Sequence, residues 1–207
     1  MVYDLFPTRV LIEDNCLSPE QLQELEVAIN SVFYAHQAQT GSHVVSGEDS
    51  MPLFTEENMS VFPVIRELRT VFLDAFCELA KSNAKNCMSR EDIETMLNNH
   101  AGRLPIMRTG DFKAVHAHPG TTAFAVFYIT TVDNEREGGQ LVLRDPTFHV
   151  NPGFKQPMTH RVDTVAGRLI VAPSYLWHEV TPYTGKKDRL TVVSNLSFLS
   201  GDIAQSL

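Results

Sequence analysis

The chain is predicted to be an α+β protein of mainly β character, with N-terminal helices packed against a C-terminal antiparallel β-barrel. Apolar residues recur at helical spacing in the first half, whereas short β-branched or aromatic runs separated by turn signals fill the second half. Many short strands at even spacing are typical of a sandwich or barrel. We therefore expect one domain over residues 1–207, with a mostly helical support at 1–103 and the β-rich core at 104–200.

The first two predicted helices have clear start signals. Ser18 can cap a helix whose first residue is Pro19, and a second helix is expected to begin near Phe62 and Pro63. Apolar residues then return to one face every three or four positions. These stripes consist of Leu22, Leu25, Ile29, Val32 and Phe33 in the first helix and of Ile65, Leu68, Phe72, Phe76 and Leu79 in the second.

A third, shorter helix is expected to run through Leu97, with Ser89 and Asp92 as its cap. Residues 36–58 carry Gly, Ser, Thr and acidic residues without periodicity, so we predict a long loop there. This loop and the segment 144–159 are expected to border the mouth of the barrel.

The second half predicts seven strands. Asp-Pro, Pro-Gly, Ala-Gly and Thr-Gly pairs lie between the runs and mark turns. The predicted strands span residues 112–116, 123–130, 140–143, 160–165, 169–172, 178–181 and 189–198.

Composition narrows the function classes. Hydrophobic residues make up 43% and charged residues 20%, which is typical of a globular protein. The net charge of −8 argues against sequence-independent nucleic-acid binding, which needs clustered Lys and Arg. Neither a signal peptide nor an apolar stretch of about 20 residues is present, so no membrane association is expected. The three cysteines share no metal-type spacing and indicate thiols in a reducing cytoplasm.

Three histidines form the most informative pattern. His116 and His118 are two residues apart in a β-rich segment, and side chains at i and i+2 of a strand project from the same face. His178 can approach from another strand. Neutral imidazole suits Fe, Zn, Cu and Ni, so the pattern indicates a metal inside the barrel without naming it.

Arg189 lies eleven residues past His178 on the last predicted strand, and alternation places Thr191 on the same face. A guanidinium can grip a carboxylate through two parallel hydrogen bonds. Inside an apolar barrel it needs an anionic partner, which a dicarboxylic cosubstrate would supply. The alternative is that Arg189 caps the strand end in solvent, beside Lys186 and Lys187.

The C-terminal half resembles the iron(II)- and 2-oxoglutarate-dependent oxygenases, and most closely a subgroup of small bacterial and phage oxygenases with a His-x-His-Pro motif. Each motif is weak alone, but their order and spacing are distinctive. They are Leu5-Phe6-Pro7-Thr8, His116–Pro119 with the strand after it, Gly138-Gly139-Gln140-Leu141, the segment 167–178, and Arg189 with Asn195. The resemblance implies a double-stranded β-helix, a jelly-roll or cupin-like barrel.

Family roles follow by position. His178 resembles the distal iron ligand, and Arg189 resembles the residue that binds the distal carboxylate of 2-oxoglutarate. Tyr128 is similar to a tyrosine that shares this carboxylate in related prolyl hydroxylases. Thr191 and Asn195 are weaker candidates for the same pocket. The implied activity is hydroxylation of a substrate by O2, with Fe(II) as cofactor and 2-oxoglutarate converted to succinate and CO2.

The metal ligands depart from the usual family pattern of His-x-Asp or His-x-Glu. If His116 is the first ligand, His118 takes the acidic position, and three neutral histidines hold the iron. If His118 is the first ligand, Gly120 takes that position, and only two protein ligands are left. We favour three histidines. Glu179 follows His178 directly and should point to the opposite face, so we do not expect it to be a ligand.

Two further functions stay open. One is a cupin-type dioxygenase that uses three histidines without a keto-acid cosubstrate, and the other is a non-catalytic barrel that binds a ligand. Arg189 and Tyr128 discriminate between them and the first hypothesis, because a cupin needs neither. The substrate class, a small molecule or a peptide or protein side chain, is not specified by the sequence, and neither is an oligomeric state.

Overall fold

The computed structural model describes residues 8–40, 51–83, 88–98, 102–146 and 158–197. The helices are α1 (Pro19–Thr40), α2 (Glu56–Val61), α3 (Pro63–Asn83), α4 (Arg90–Asn98) and α5 (Asn134–Glu137). The strands are β1 (Leu11–Glu13), β2 (Met51–Pro52), β3 (Arg103–Leu104), β4 (Ile106–Met107), β5 (Lys113–His116), β6 (Thr121–Tyr128), β7 (Leu141–Arg144), β8 (Thr159–Val162), β9 (Leu169–Pro173), β10 (His178–Val180) and β11 (Arg189–Ser197).

Reciprocal side-chain caps begin α1 and α4. The Gln21 backbone N–H donates to the Ser18 hydroxyl oxygen (3.2 Å), and the Ser18 N–H donates to the Gln21 amide oxygen (2.8 Å). Ser89 and Asp92 form the equivalent pair at 3.1 and 3.2 Å. Such boxes satisfy two N–H groups that a helix start otherwise leaves without partners. The three predicted helices are confirmed.

The predicted loop over residues 36–58 is wrong at both ends. α1 continues to Thr40, and α2 begins at Glu56, where the Thr55 hydroxyl accepts the Asn58 backbone N–H (3.1 Å). A helix of six residues is too short to show a periodic apolar stripe, so only its cap could have indicated it. Residues 41–50 lie outside the described part of the chain.

The strands form two antiparallel sheets that face each other. The larger sheet has the order β1-β9-β6-β11-β3-β2, with β4 also paired to β11, and the smaller has the order β5-β10-β7-β8. From β5 to β11 the strands alternate between the two sheets, except that β7 and β8 pair with each other in the smaller sheet. This is the topology of a jelly roll, and it confirms the predicted double-stranded β-helix with N-terminal helices packed against it.

Strand alternation divides the interior into two cores. On β11, Leu190, Val192 and Leu196 pack with the apolar faces of α1, α3 and α4 on one side of the larger sheet. The opposite face of this sheet meets the smaller sheet in a second core, which contains Phe124, Tyr128, Leu141, Leu143, Val162, Ile170 and Ala172. The odd-numbered residues of β11, beginning with Arg189, therefore face the inside of the barrel.

All seven predicted strands are present, with boundaries that differ by at most three residues. The short strands β1 to β4 and the single-turn α5 were not predicted, because two or three residues carry no measurable periodicity. No helix in the described part of the chain combines the length and the apolar character needed to cross a membrane.

Candidate metal centre and buried arginine pocket

The three predicted histidines come together at one end of the barrel. His178 begins β10 and lies directly opposite His116, the last residue of β5. His118 follows in the connection to β6, and one ring nitrogen from each of the three residues lies within 4.8 Å of the others. The Nε2 atoms of His118 and His178 are 3.3 Å apart.

His118 reaches the cluster by a different route from the predicted strand alternation. β5 ends at His116, so His118 is not on the strand. Its backbone N–H donates to the Ser174 carbonyl (3.0 Å), and its carbonyl accepts the Thr121 hydroxyl (2.9 Å). The loop is thus tied both to β6 and to the segment that leads into His178, which fixes the position of the ring.

The histidine rings are oriented by backbone carbonyls. His178 Nδ1 lies 2.8 Å from the Leu176 carbonyl, and His116 Nδ1 lies 2.7 Å from the Ala114 carbonyl. Because a carbonyl only accepts, both Nδ1 atoms carry the hydrogen and both Nε2 atoms carry a free lone pair. Metal-binding histidines are usually held in this way. Two imidazole nitrogens that each lie about 2.1 Å from one ion are separated by roughly 3 Å, close to the spacing seen here.

Burial keeps His178 in its neutral form. Its side chain is 4% exposed, and the Phe124 ring stacks on it with centroids 4.1 Å apart. Desolvation lowers the pKa of His178 to about 4, and the neighbouring His116 and His118 add to this effect. A neutral imidazole is the form that binds a metal. The donor set and its protonation state therefore fit a transition metal ion.

No carboxylate in the described part of the chain joins the histidine cluster. Glu179 is turned away, and both of its carboxylate oxygens accept from Arg144 Nη2, at 3.0 and 3.1 Å. Gly120, the other position considered for a carboxylate, has φ +83° and open space where a side chain would begin. The expectation that Glu179 is not a ligand agrees with this geometry.

Arg189 occupies a buried pocket on the inner face of the larger sheet. Its side chain is only 2% exposed, so the solvent-exposed alternative is wrong. Nη1 donates to the Met107 sulfur (3.2 Å), and the guanidinium carbon lies 5.2 Å from the centre of the Tyr128 ring. Among the described residues it has no carboxylate partner, and its Nε has no hydrogen bond. This burial lowers the pKa of Arg189 below its usual range.

Tyr128 adds a second polar group without a partner to this pocket. The residue is fully buried, and its hydroxyl makes no hydrogen bond with the described part of the chain. Desolvation raises the pKa of Tyr128 to about 12, although the Arg189 charge opposes the shift. Thr191 lies opposite Tyr128 on the adjacent strand, and its hydroxyl donates weakly to the Pro105 carbonyl (3.4 Å). Together they form a pocket of hydrogen-bond donors with a positive charge.

Sequence reasoning missed three residues that shape this pocket. The Met107 sulfur accepts the hydrogen bond from Arg189 Nη1. Gly139 has φ +72°, and a Cβ there would lie 3.2 Å from both Arg189 Cδ and Tyr183 Cδ2. Tyr183 is itself held by a hydrogen bond from its hydroxyl to the Lys187 carbonyl (2.7 Å). The Gly138-Gly139 pair signalled a special backbone, but only the fold brings it beside Arg189.

Several other residues that the sequence suggested do not join the histidine cluster. His160 pairs with Leu143, which pairs in turn with His178, so it is two strand spacings, about 10 Å, from the cluster. Asn195 lies opposite Phe124 on the inner face of β11. Trp177, which directly precedes His178, is 51% exposed. Residues 147–157 of the predicted mouth and the motif residues Leu5–Pro7 lie outside the described part.

The sequence of the barrel matches a known family. Residues 104–195, a little under half of the chain, match the family profile described as "putative 2OG-Fe(II) oxygenase". This segment contains all three clustered histidines, Arg189 and the residues around them. No curated protein sequence matches the chain significantly.

Solved structures share the fold at low sequence identity. A prolyl-4-hydroxylase from Pseudomonas putida aligns over 93% of this chain and 94% of its own, with a TM-score of 0.57 and 15% identity. A prolyl hydroxylase from Trichoplax adhaerens, in complex with a hypoxia inducible factor peptide fragment, aligns over 91% and 83%, with a TM-score of 0.59 and 15% identity.

HygX from Streptomyces hygroscopicus, solved with nickel and 2-oxoglutarate bound, aligns over 91% of this chain and 81% of its own, with a TM-score of 0.57 and 11% identity. These likenesses establish the double-stranded β-helix architecture. The profile match and the fold agree, and residues 104–195 are similar to the 2OG-Fe(II) oxygenase family.

Proposed function

We propose that the protein is an Fe(II)- and 2-oxoglutarate-dependent dioxygenase that hydroxylates a substrate and releases succinate and CO2. The observation that carries this proposal is the unpaired cation of Arg189 in the same barrel as a cluster of three neutral histidines. Both contact the inner face of β6, Arg189 at Tyr128 and His178 at Phe124. A metal that needs nitrogen ligands and an anion that needs a buried cation would complete both sites.

Each predicted residue receives a role. His116, His118 and His178 would hold Fe(II), and in His116 and His178 the Nδ1 contact with a backbone carbonyl leaves Nε2 as the metal-binding atom. Arg189 and Tyr128 would bind the distal carboxylate of 2-oxoglutarate, with Thr191 beside them. When bound, Fe(II) and 2-oxoglutarate supply the chemistry by which one oxygen atom of O2 enters succinate and the other enters the hydroxylated substrate, with loss of CO2.

The rest of the barrel isolates this chemistry from water. The wall between the two sites is apolar, since Leu141, Leu143 and Ile170 are at most 4% exposed. In such surroundings a charged hydrogen bond between Arg189 and a carboxylate is stronger than in water. Because the high pKa keeps the Tyr128 hydroxyl protonated at physiological pH, it can act as a donor. The fixed positions of these donors orient the cosubstrate without further rearrangement.

We favour three histidine ligands over two. The support is the mutual approach of all three rings, together with the orientation of His116 and His178 by carbonyls. Under the alternative, His116 would have no role at the metal, although its ring centroid lies 4.3 Å from that of His178. The two-ligand set stays the competing hypothesis.

The test is anaerobic addition of Fe(II) and then 2-oxoglutarate to the purified protein, followed in the visible spectrum. We expect a metal-to-ligand charge-transfer band that requires both additions, is lost in His178→Ala and is weakened in Arg189→Ala. His160→Ala is the matched control, because this exposed histidine lies outside the cluster, and it should leave the band unchanged. Tight iron binding without a band in the parent protein would contradict the proposal.

A cupin-type dioxygenase that uses three histidines without 2-oxoglutarate is the second candidate. The absence of a carboxylate from the histidine cluster in the described residues favours it. It does not explain why a buried arginine lacks an anionic partner in the same barrel. A non-catalytic binding module would retain iron and 2-oxoglutarate but would not convert 2-oxoglutarate to succinate when O2 is admitted.

The substrate is either a small molecule or a peptide or protein side chain. The Trichoplax adhaerens relative of similar fold was solved with a peptide fragment, which makes peptides a reasonable first class to screen. The acidic net charge of −8 argues against nucleic acid. The cytoplasmic location inferred from the cysteines stays a prediction.

A further inference from the structure

Asn195 occupies a distinctive place on the inner face of the larger sheet. It lies on the same side of β11 as Arg189 and Thr191, because Leu190, Val192 and Leu196 face the helices. Its direct partner across the strand pair is Phe124, whose ring stacks on His178. Asn195 is therefore a cross-strand neighbour of the residue that touches the histidine cluster.

Distance along the strand separates Asn195 from the arginine pocket. Asn195 is six residues beyond Arg189 along β11, which corresponds to about 20 Å of extended chain. Thr191 is level with Tyr128, whereas Asn195 is level with Phe124, four residues further along β6. Asn195 thus lies at the end of the barrel that carries the histidine cluster. We therefore do not assign it to the distal carboxylate pocket, for which the resemblance made it a candidate.

The chemistry of this position is polar and neutral. Asn195 is partly exposed, and its carboxamide has no hydrogen-bond partner within the described ranges. A carboxamide offers both donors and an acceptor. At the same level of the sheet its neighbours Phe124 and Ala172 are apolar. The charged residue Arg103 lies opposite Val193 on the adjacent strand β3 and is exposed.

An exposed aromatic residue follows directly in sequence after a residue that contacts the histidine loop. Tyr175 is 56% exposed and directly follows Ser174, whose carbonyl accepts the His118 backbone N–H. A large exposed ring therefore stands beside the histidine loop. The surroundings of the cluster combine a free carboxamide with apolar surface, which suits a ligand that has a neutral amide next to an apolar group.

We infer that Asn195 is a substrate-binding residue that recognises a neutral amide, such as a peptide group, next to the carbon to be oxidised. A carboxamide and an amide can exchange a donor and an acceptor, whereas a carboxylate would find no cation on Asn195. This inference rests on the proposed function and adds a substrate class to it. It predicts that Asn195 and Arg189 affect different ligands.

The experiment uses the anaerobic protein loaded with Fe(II) and 2-oxoglutarate. The probes are N-acetyl amino acid N-methylamides, with carboxylic acids and alcohols that carry the same side chain but no amide group as comparisons. The shift of the charge-transfer band on addition of each probe gives its affinity, and titration with 2-oxoglutarate alone gives the affinity for the cosubstrate. The variants are Asn195→Ala, the isosteric Asn195→Asp, and Ser194→Ala, whose side chain lies on the other face of β11, as the matched control.

We expect amide probes to shift the band of the parent protein more strongly than the acids and alcohols. Asn195→Ala and Asn195→Asp should each lower the affinity for the amide probe by about tenfold. Both should leave the affinity for 2-oxoglutarate unchanged, and Ser194→Ala should change neither affinity. Arg189→Ala should lower the affinity for 2-oxoglutarate more than the affinity for the amide probes.

Several results would overturn the inference. Loss of 2-oxoglutarate affinity in Asn195→Ala would assign this residue to the cosubstrate. Unchanged amide affinity, a response to acids or alcohols alone, or no response to any probe would remove the amide assignment while leaving the proposed function intact. Absence of the band in the parent protein, before any probe is added, would refute the proposed function and this inference with it.

Discussion

The two ends of the barrel interior are built in opposite ways. At the histidine end, the three histidine side chains come from a strand end, a loop and a strand start, and backbone carbonyls contact the Nδ1 atoms of His116 and His178. At the arginine end, the side chains project from the long strands β6 and β11, which share seven paired positions. The Arg189 Nε and the Tyr128 hydroxyl have no partners there.

The two ends differ in how strongly they destabilise the folded protein when no ligand is bound. A neutral imidazole with a hydrogen bond to a carbonyl is tolerated in an apolar core, so the histidine end needs no ligand for stability. A buried unpaired guanidinium costs several kcal/mol in principle, and only a well-packed framework can retain it. The long strands provide that framework. The arginine end is therefore preorganised at the expense of folding stability, whereas the histidine end depends on the accuracy of its loops.

Replacing Arg189 should produce the largest effect. In Arg189→Met we expect the free energy of 2-oxoglutarate binding to fall by about 2–5 kcal/mol, because the carboxylate loses its charged partner. The unfolding free energy of the ligand-free variant should be unchanged or higher, by up to about 2 kcal/mol, since an uncompensated charge leaves the core. Urea unfolding with and without 2-oxoglutarate measures both quantities.

Arg90→Met is the control for that experiment. Arg90 lies on α4, where its exposed side chain donates to the Asp74 carboxylate at 2.6 Å, so its loss should not raise stability or affect 2-oxoglutarate binding. A ligand-free Arg189→Met protein that is several kcal/mol less stable than the parent would contradict the idea that the charge is uncompensated.

The buried His178 side chain should lower the free energy of unfolding only at low pH. The pKa of His178 is about 4 in the folded protein, below the usual 6.5, so the folded state favours the neutral form. Stability from this group is complete above pH 6.5 and is lost as pH falls toward 4. The loss is roughly 3 kcal/mol at most, from about 1.4 kcal/mol for each pH unit.

The measurement is unfolding of the metal-free protein between pH 4 and pH 7. His178→Gln should flatten the dependence over this range, because it removes the buried imidazole whose pKa is lowered. His160→Gln, an exposed histidine, should keep the full dependence of the parent. Equal slopes in the parent and in His178→Gln would show that burial of His178 is not the cause.

The sequence was informative where periodicity or spacing is local. The capping residues Ser18 and Ser89, the seven strands and the histidine pattern all depend on neighbours within a few positions, and the structure agrees with them. His118 joined the cluster as expected, but through loop contacts with Ser174 and Thr121 that no strand argument could supply.

Long-range packing explains what could not be predicted. Met107 and Gly139 contact Arg189 from positions 82 and 50 residues away in sequence, and nothing in their local sequence marks them as neighbours of a cation. The length of α1 was also missed, because its last turns lack the apolar stripe of the first turns. Asn195 was a candidate for the carboxylate pocket, and only the strand register gives its level along the barrel.

A smaller effect is expected from removal of the Tyr128 hydroxyl. In Tyr128→Phe the affinity for 2-oxoglutarate should fall by about 1.5–3 kcal/mol, the usual value of a hydrogen bond to a charged group. Because the hydroxyl has no partner in the ligand-free pocket, the stability of that state should not fall. Calorimetric titration of the Fe(II)-loaded protein with 2-oxoglutarate measures the affinity. An unchanged affinity would restrict carboxylate binding to Arg189.

The smallest effect should come from a carboxylate in place of His118. Loss of a metal ligand in His116→Ala or His118→Ala should lower the affinity for Fe(II) by at least 10–100-fold, the usual effect of removing a residue that only hydrogen-bonds to a ligand. His118→Asp should recover most of this loss, because two histidines and one carboxylate are an established ligand set for Fe(II). Competition with a coloured chelator measures all three variants. If His116→Ala binds Fe(II) as tightly as the parent, the iron is held by His118 and His178 alone, and the charge balance at the metal end must be completed by the cosubstrate rather than by a third side chain.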